Sequence, residues 1–268
     1  MILDQTYDFQ GQRIAWGCKG AGEPIVLIHG TPFSSLVWRK IVPWLARKRK
    51  VYFFDLLGYG KSEMREGQDV SLGVQNHILA ALLNHWALER PEIAAHDFGG
   101  ATALRCHYIN GVEYSALTLI DPVALAPWGS PFVQHVRKHE AAFAGLPAYA
   151  HAGLLKAYLQ GAAHVPLSEE ALETYMYPWT GAAGQPAFYR QIAQMDQRYT
   201  DEIEARYAKP RFPVQILWGE EDAWIPVERG EMLAALFRCN LVKVPGSGHL
   251  VQDDCPEAIV AALLADWR

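Results

Sequence analysis

The sequence predicts an α/β protein, a mostly parallel sheet flanked by helices. Two observations predict it. Short apolar, β-branched runs alternate along the chain with helix-length amphipathic stretches, the pattern of strand–helix units joined into a parallel sheet. The chain is also long, 268 residues with half of them apolar and a fifth charged, enough to bury a sizeable core without disulfides or metals.

The elements follow in order. Tyr7–Phe9 and Arg13–Trp16 read as an antiparallel hairpin at one sheet edge. Pro24–Ile28 (PIVLI) is a buried strand leading into His29-Gly30, and Val51–Phe54 (VYFF) ends at Asp55. Glu92–Ala95, Leu117–Ile120, Val214–Trp218 and Leu241–Val244 complete an eight-stranded sheet. Helices are expected over Leu36–Arg49, Leu72–Trp86, Ala101–Ile109, Glu228–Phe237 and Pro256–Trp267. From Val123 to about Lys209 there is no convincing strand. That stretch is rich in Ala, Tyr, His and Trp and is broken by Pro127, Pro131, Pro147, Pro166, Pro178 and Pro186, with room for several short helices between them. An insertion after the sixth strand reads as a helical cap over the C-terminal edge of the sheet, where open α/β sheets bind ligands. The expected division is a core of residues 1–122 and 210–268 with a cap of residues 123–209.

Composition narrows the function classes. Lys and Arg number 24 against 29 Asp and Glu, a formal net charge of −5. Such mild acidity argues against nucleic acid or an anionic membrane as partner. The four cysteines, Cys18, Cys106, Cys239 and Cys255, form no CxxC pair and no metal-ligand spacing with histidine; they read as free thiols in a reducing compartment. No secretory leader and no apolar run of membrane length stands out, so the cytoplasm is the expected location. A small-molecule substrate is the expected partner, with no cofactor, no metal, and a homodimer left open.

The sharpest motif is Ala95-His96-Asp97-Phe98-Gly99-Gly100, between a strand and a helix. Small residues flank a polar one, the pattern of a tight strand-to-helix turn that exposes one side chain as a nucleophile. Here that side chain is Asp97, at the N-terminus of a helix whose dipole favours an anion. Taken alone, Asp97 reads as well as a helix N-cap. Two further residues stand just after strands: Asp222 in Gly219-Glu220-Glu221-Asp222, and His249 in Gly246-Ser247-Gly248-His249. Nucleophile, acid, histidine is an order of triad residues that strand ends can bring together. Asp121, after the strand before the cap, is the alternative acid, while Glu220 and Glu221 read as solvated charges. In His29-Gly30-Thr31-Pro32 the backbone N–H of Thr31 can oppose that of Phe98, two donors that make an oxyanion hole. His29 and His96 read as structural hydrogen-bonding residues around the turns. Gly60-Lys61-Ser62 has Asp55 where a phosphate-binding loop needs glycine, which excludes that reading.

These residues carry a resemblance. HGTPFSSLVWR (29–39), DLLGYGKS (55–62), HDFGG (96–100), LIDP (119–122), WGEEDAWIP (218–226) and GSGH (246–249) resemble the α/β-hydrolase fold family over essentially the whole chain. Within it they are similar to the aspartate-nucleophile branch of haloalkane dehalogenases, fluoroacetate dehalogenases and epoxide hydrolases. The resemblance implies an eight-stranded, mostly parallel sheet with a helical cap, and a two-step hydrolysis. Asp97 displaces a leaving group from an sp³ carbon and becomes an alkyl ester. Neutral His249, oriented by Asp222, then activates the water that attacks the ester carbonyl. Aspartate suits this chemistry because its ester keeps a carbonyl for water to attack, whereas a serine ether would not.

Departures from the family bear on the substrate. Haloalkane dehalogenases commonly hold the halide with an indole N–H after the nucleophile and an Asn after the HG; this chain has Phe98 and Thr31 there. Trp128, Trp179, His151 and Tyr189 are the cap candidates for the missing donor. Gly184-Gln185-Pro186-Ala187-Phe188-Tyr189-Arg190 is similar to the second-tyrosine motif of epoxide hydrolases and nominates Tyr189 as the acid for a ring oxygen, with Tyr149, Tyr158 and Tyr175 as candidates for a second. Trp38, Trp128, His151 and Trp179 are expected to line the substrate pocket. Epoxide opening ranks above carbon–halogen cleavage, and a non-catalytic small-molecule binder is the reading from a different class.

Overall fold

A computed structural model describes residues 2–265. The hairpin is β1 (Gln5–Phe9) and β2 (Gln12–Lys19), followed by β3 (Glu23–Ile28). A 3₁₀ turn over Ser35–Lys40 and a short helix α1 (Val42–Leu45) lead to β4 (Arg49–Phe54). Then come α2 (Leu72–His85), β5 (Glu92–His96), α3 (Phe98–Asn110) and β6 (Ala116–Ile120). Five helices separate β6 from the next strand: α4 (Pro131–Ala144), α5 (Ala148–Gln160), α6 (Glu169–Met176), α7 (Gly181–Ala193) and α8 (Arg198–Glu204), with a 3₁₀ turn over Tyr177–Trp179. The chain closes with β7 (Val214–Gly219), α9 (Glu228–Phe237), β8 (Asn240–Val244), α10 (Val251–Asp254) and α11 (Pro256–Leu264).

The sheet order is β1-β2-β4-β3-β5-β6-β7-β8. β2 pairs antiparallel with β1 and β4, and every other pair is parallel. Residues of β5, β6 and β7 are buried along their whole length, as expected of parallel strands covered on both faces. Because β3, β5, β6, β7 and β8 run in one direction, their C-terminal ends open on one edge, and the expected eight-stranded architecture is the one found.

Three expected helix bounds are corrected. Leu36–Arg49 is not one helix. Pro43 lacks an N–H and its ring crowds the preceding turn, so the segment splits into the 3₁₀ turn and α1, and Arg49 already belongs to β4. The helix expected from Ala101 starts at Phe98, directly on the turn. The last helix runs to Leu264 and ends at Ala265, whose backbone is extended; the rest of the expected extension to Trp267 lies outside the described residues. Pro186, expected as a break, sits inside α7.

Candidate active site

Asp97 sits at φ 50°, ψ −118° between β5 and α3, a conformation that costs a non-glycine residue about 1–3 kcal/mol and is retained where the surroundings over-determine it. Its side chain does not cap α3, which removes the N-cap reading. The neighbours make the turn possible by being small. A Cβ on Gly30 would lie 2.4 Å from the Asp97 carboxylate, and one on Gly99 would lie 2.6 Å from the carbonyl oxygens of Ile28 and His29. The Thr31 N–H donates to Asp97 Oδ2 at 2.7 Å, and the Phe98 N–H also supports the carboxylate. Both expected oxyanion donors therefore converge on Asp97. The turn carrying Thr31 is itself fixed, because Asp55 accepts from the Ser35 and Lys61 N–H groups, and His29 Nε2 accepts from Leu56.

His249 Nδ1 lies 2.8 Å from Asp222 Oδ2, and Nε2 lies 3.5 Å from Asp97 Oδ1. A neutral ring donates its Nδ1 proton to the carboxylate and keeps a lone pair on Nε2. Nε2 is buried with no hydrogen-bond partner, so the ring points its basic atom at the nucleophile. Asp222 Oδ1 accepts from the Trp224 and Ile225 N–H groups. Glu221, expected as a solvated charge, instead accepts from the Ser247 N–H at 2.9 Å and ties the acid's turn to the histidine's loop. His96 Nε2 bonds the His249 carbonyl oxygen at 2.8 Å.

The charges reinforce one another. Burial opposes an ionised Asp97, yet the facing His249 ring and its charge hold the carboxyl below its ordinary range. Burial also opposes a charged His249, but Asp222 and Asp97 outweigh it and push the imidazole well above its ordinary value. His96 is held down to about 3 by burial and by its charged neighbour, so it stays neutral. Asp121 lies beside Asp222, and burial together with that carboxylate raises its carboxyl well above the usual range. Of the two acids, Asp222 makes the hydrogen bond to His249; Asp121 Oδ1 accepts from the Gly219 N–H.

Above Asp97 is a cavity of about 50 Å³ lined by Thr31, Phe98, Val123, Trp128, Tyr158, Met195 and Trp224, among others. That is far below the roughly 300–1,000 Å³ of pockets for drug-sized ligands. Of the residues expected to line it, Trp128 does, but its Nε1–H is committed to Thr200 Oγ1 at 2.8 Å. Trp38, His151 and Trp179 are buried outside the lining. Tyr189 is also outside it, because α7 turns its phenol into the helical layer, where it meets His151 Nδ1 at 2.9 Å. The other His151 nitrogen is taken by the Trp179 carbonyl, and Trp179 Nε1–H donates to the Pro32 carbonyl. Burial pushes the Tyr189 phenol up to about 12.

The tyrosine that does face the site is Tyr158, on α5. It lines the cavity, and burial and the Asp97 charge raise its phenol above the ordinary value. Of its two rivals, Tyr149 is exposed and Tyr175 is bonded to Arg39 and Asp253. The Trp224 ring lies between Tyr158 and His249, with ring centroids 4.8 and 5.0 Å away. Trp224 was absent from the expected pocket, although its place two residues after Asp222 is the signal that could have found it. Gln191 on α7 is a second missed residue: its Oε1 accepts from the Thr31 and Tyr59 hydroxyls.

The profile of the alpha/beta hydrolase family matches residues 25–262. A crystal structure of an alpha/beta hydrolase fold protein from Burkholderia ambifaria is 59% identical, covers 98% of each chain and superposes with a TM-score of 0.97. Haloalkane dehalogenase 2 from Mycobacterium tuberculosis is 26% identical across 96% of this chain and 92% of its own. The epoxide hydrolase CorEH shares the fold at a TM-score of 0.76, with 21% identity over 97% of this chain and 96% of its own.

Proposed function

This chain belongs to the alpha/beta hydrolase family, and from that premise we propose that it is a hydrolase opening small apolar epoxides through a covalent ester on Asp97. The observation that carries this reading is the pairing of donors over the nucleophile. The N–H groups the sequence offers for a halide, on Trp128, Trp179 and His151, are committed to protein acceptors, whereas the Tyr158 phenol lines the cavity beside Asp97. An epoxide leaves as an alkoxide that needs a proton, and a phenol suits that task.

In the first step an Asp97 oxygen attacks a ring carbon. The carbon–oxygen bond breaks, its electron pair goes to the ring oxygen, and that oxygen takes the Tyr158 proton. The product is a hydroxyalkyl ester and a phenolate. Ester formation also removes the Asp97 charge, one of the causes that hold the His249 pKa up. The imidazole then gives up its proton, by way of solvent, to the Tyr158 phenolate, and the neutral ring becomes the base. In the second step Nε2 takes a proton from water as the water oxygen bonds to the ester carbonyl carbon. The oxyanion sits between the Thr31 and Phe98 N–H groups. Collapse breaks the bond to the alkoxide, the proton of the added hydroxyl passes to that oxygen to complete the diol, and Asp97 is regenerated as a carboxylate facing a protonated His249, as at the start.

Carbon–halogen cleavage is the competing reading, favoured by the 26% identity to a haloalkane dehalogenase. Its remaining donor would be the Trp224 indole, whose Nε1 lies toward Gly161 at the end of α5. A panel of short terminal epoxides and primary haloalkanes separates the two. Wild type is expected to release diol, and Tyr158→Phe to lose about 10²-fold of that activity. Halide release unaffected by Tyr158→Phe would overturn the epoxide reading.

A further inference from the structure

The loop carrying His249 is joined to the helical insertion by one carboxylate. Asp254, at the end of α10, accepts from three backbone N–H groups: Oδ2 from Gly248 and from His164, each at 2.8 Å, and Oδ1 from Val165 at 3.0 Å. A second link is the Leu250 N–H donating to the Ala162 carbonyl at 2.9 Å. Gly248 and Leu250 flank His249. Residues 162–165 follow α5, which presents Tyr158 to the cavity. The join is close, since a Cβ on Gly248 would lie 2.8 Å from the His164 nitrogen. The neighbouring Asp253 carboxylate serves different partners, Arg39, Lys40 and Tyr175.

The geometry points to Asp254 as a positioning residue that holds the His249 imidazole at its working distance from Asp97 by clamping the base's loop to the end of α5. A carboxylate accepting several N–H groups fixes position more firmly than neutral partners do. The other anchors on this loop, Glu221 at Ser247 and His96 at the His249 carbonyl, come from the sheet side; Asp254 is the side-chain anchor toward the helical layer. Asp254 also lines an open cleft of about 400 Å³, so water can replace its oxygens and the fold survives its loss. The loop, with glycines at 246 and 248, then loosens. Asp97 itself is held by Thr31 and Phe98 and is not disturbed. A misplacement near 1 Å can cost about 10²-fold in rate, and that cost falls on the water-activating step.

The kinetic consequence rests on the ester mechanism proposed above, and the test is arranged so that the two can fail separately. Wild type, Asp254→Ala, Asp254→Asn and Asp253→Ala are mixed with 1,2-epoxybutane, quenched, and weighed intact, alongside His249→Gln. The low-field Nδ1–H proton resonance of His249 is recorded for each variant without substrate. Asp254→Ala is expected to lower kcat about 10- to 100-fold, lower KM, accumulate ester on Asp97, and broaden or shift the Nδ1–H resonance. Asp254→Asn keeps an oxygen for Gly248 and His164 and is expected to recover part of the loss. Asp253→Ala is expected to lower Tm to a similar extent without ester accumulation or a change in the resonance. An unchanged resonance in Asp254→Ala, or the same change in Asp253→Ala, overturns the positioning role whatever the substrate. No ester on His249→Gln overturns the ester mechanism instead, and the resonance still decides the role of Asp254.

Discussion

The C-terminal edge of the sheet and the helical layer between β6 and β7 present their polar side chains in opposite ways. At the edge, Asp97, Asp222 and His249 each stand just past a strand, and they meet within 3.5 Å although they are far apart in the chain. In the helical layer, the residues with the most obvious chemistry face one another. Tyr189 meets His151, His151 meets the Trp179 carbonyl, and the Trp179 indole meets Pro32. Only the last of these reaches the sheet side, and it does so as a fastening to the turn beside Thr31. A strand end fixes the direction of its next side chain through the backbone, whereas a helix presents residues all round and packing selects which of them find the cavity. In the proposed mechanism the edge therefore carries the ester chemistry, and the layer above supplies shape and one phenol.

That contrast is broken most severely by removing the nucleophile. Asp97→Asn is expected to lose roughly 10⁴-fold or more in kcat, the scale of deleting one member of a group that acts as a unit, with thermal unfolding showing that the fold persists. The contrast is sharpened by treating the two tyrosines alike. Where Tyr158→Phe costs about 10²-fold, Tyr189→Phe is expected to leave kcat almost unchanged and to lower stability by about 1–2 kcal/mol, because the buried His151 Nδ1 loses its partner. Denaturant titration beside steady-state kinetics reads both. A large kinetic loss in Tyr189→Phe would move the chemistry into the helical layer.

The smallest kinetic effect is expected at the edge itself. Asp121→Asn mimics the protonated carboxyl and keeps an oxygen for the Gly219 N–H, so kcat should stay within about threefold. Its pH signature has a definite sign. The folded chain keeps the Asp121 proton, while an unfolded aspartate releases it above about pH 3.9. The folded state then binds more protons than the unfolded one, and this residue's contribution to stability falls as pH rises from there toward its raised folded value. Asp121→Asn should therefore gain stability relative to wild type across that range. Opposite behaviour, with a large loss of kcat, would make Asp121 the working acid in place of Asp222.

The same contrast explains what the sequence made legible. All eight strands, the elbow at Asp97 and the turns at Thr31, Asp222 and His249 could be placed because strand ends convert sequence position into spatial position. Glu228–Phe237 was legible to its bounds, since its buried residues, Gly230, Leu233, Ala234 and Phe237, recur at helical spacing on one face. The segment 36–49 was misread because one proline outweighed an otherwise helical pattern. Tyr189 was nominated as the acid on a motif, with Tyr158 one of three candidates for a second tyrosine, and what separates them is the direction in which α7 and α5 turn each phenol. No local pattern encodes that. Trp224 was legible in principle, as a neighbour of Asp222 on the same loop. The Asp254 contacts join residues that no spacing rule connects.

In the proposed mechanism Asp97 becomes an ester and His249 activates the water that releases it. The most direct test is the intact mass of His249→Gln after exposure to 1,2-epoxybutane, followed by peptide mapping. The expected result is a stable adduct equal to the whole epoxide mass, located on Asp97 and absent from a doubly substituted Asp97→Asn, His249→Gln chain. An adduct on another residue, or full diol turnover by His249→Gln with no adduct, would contradict it.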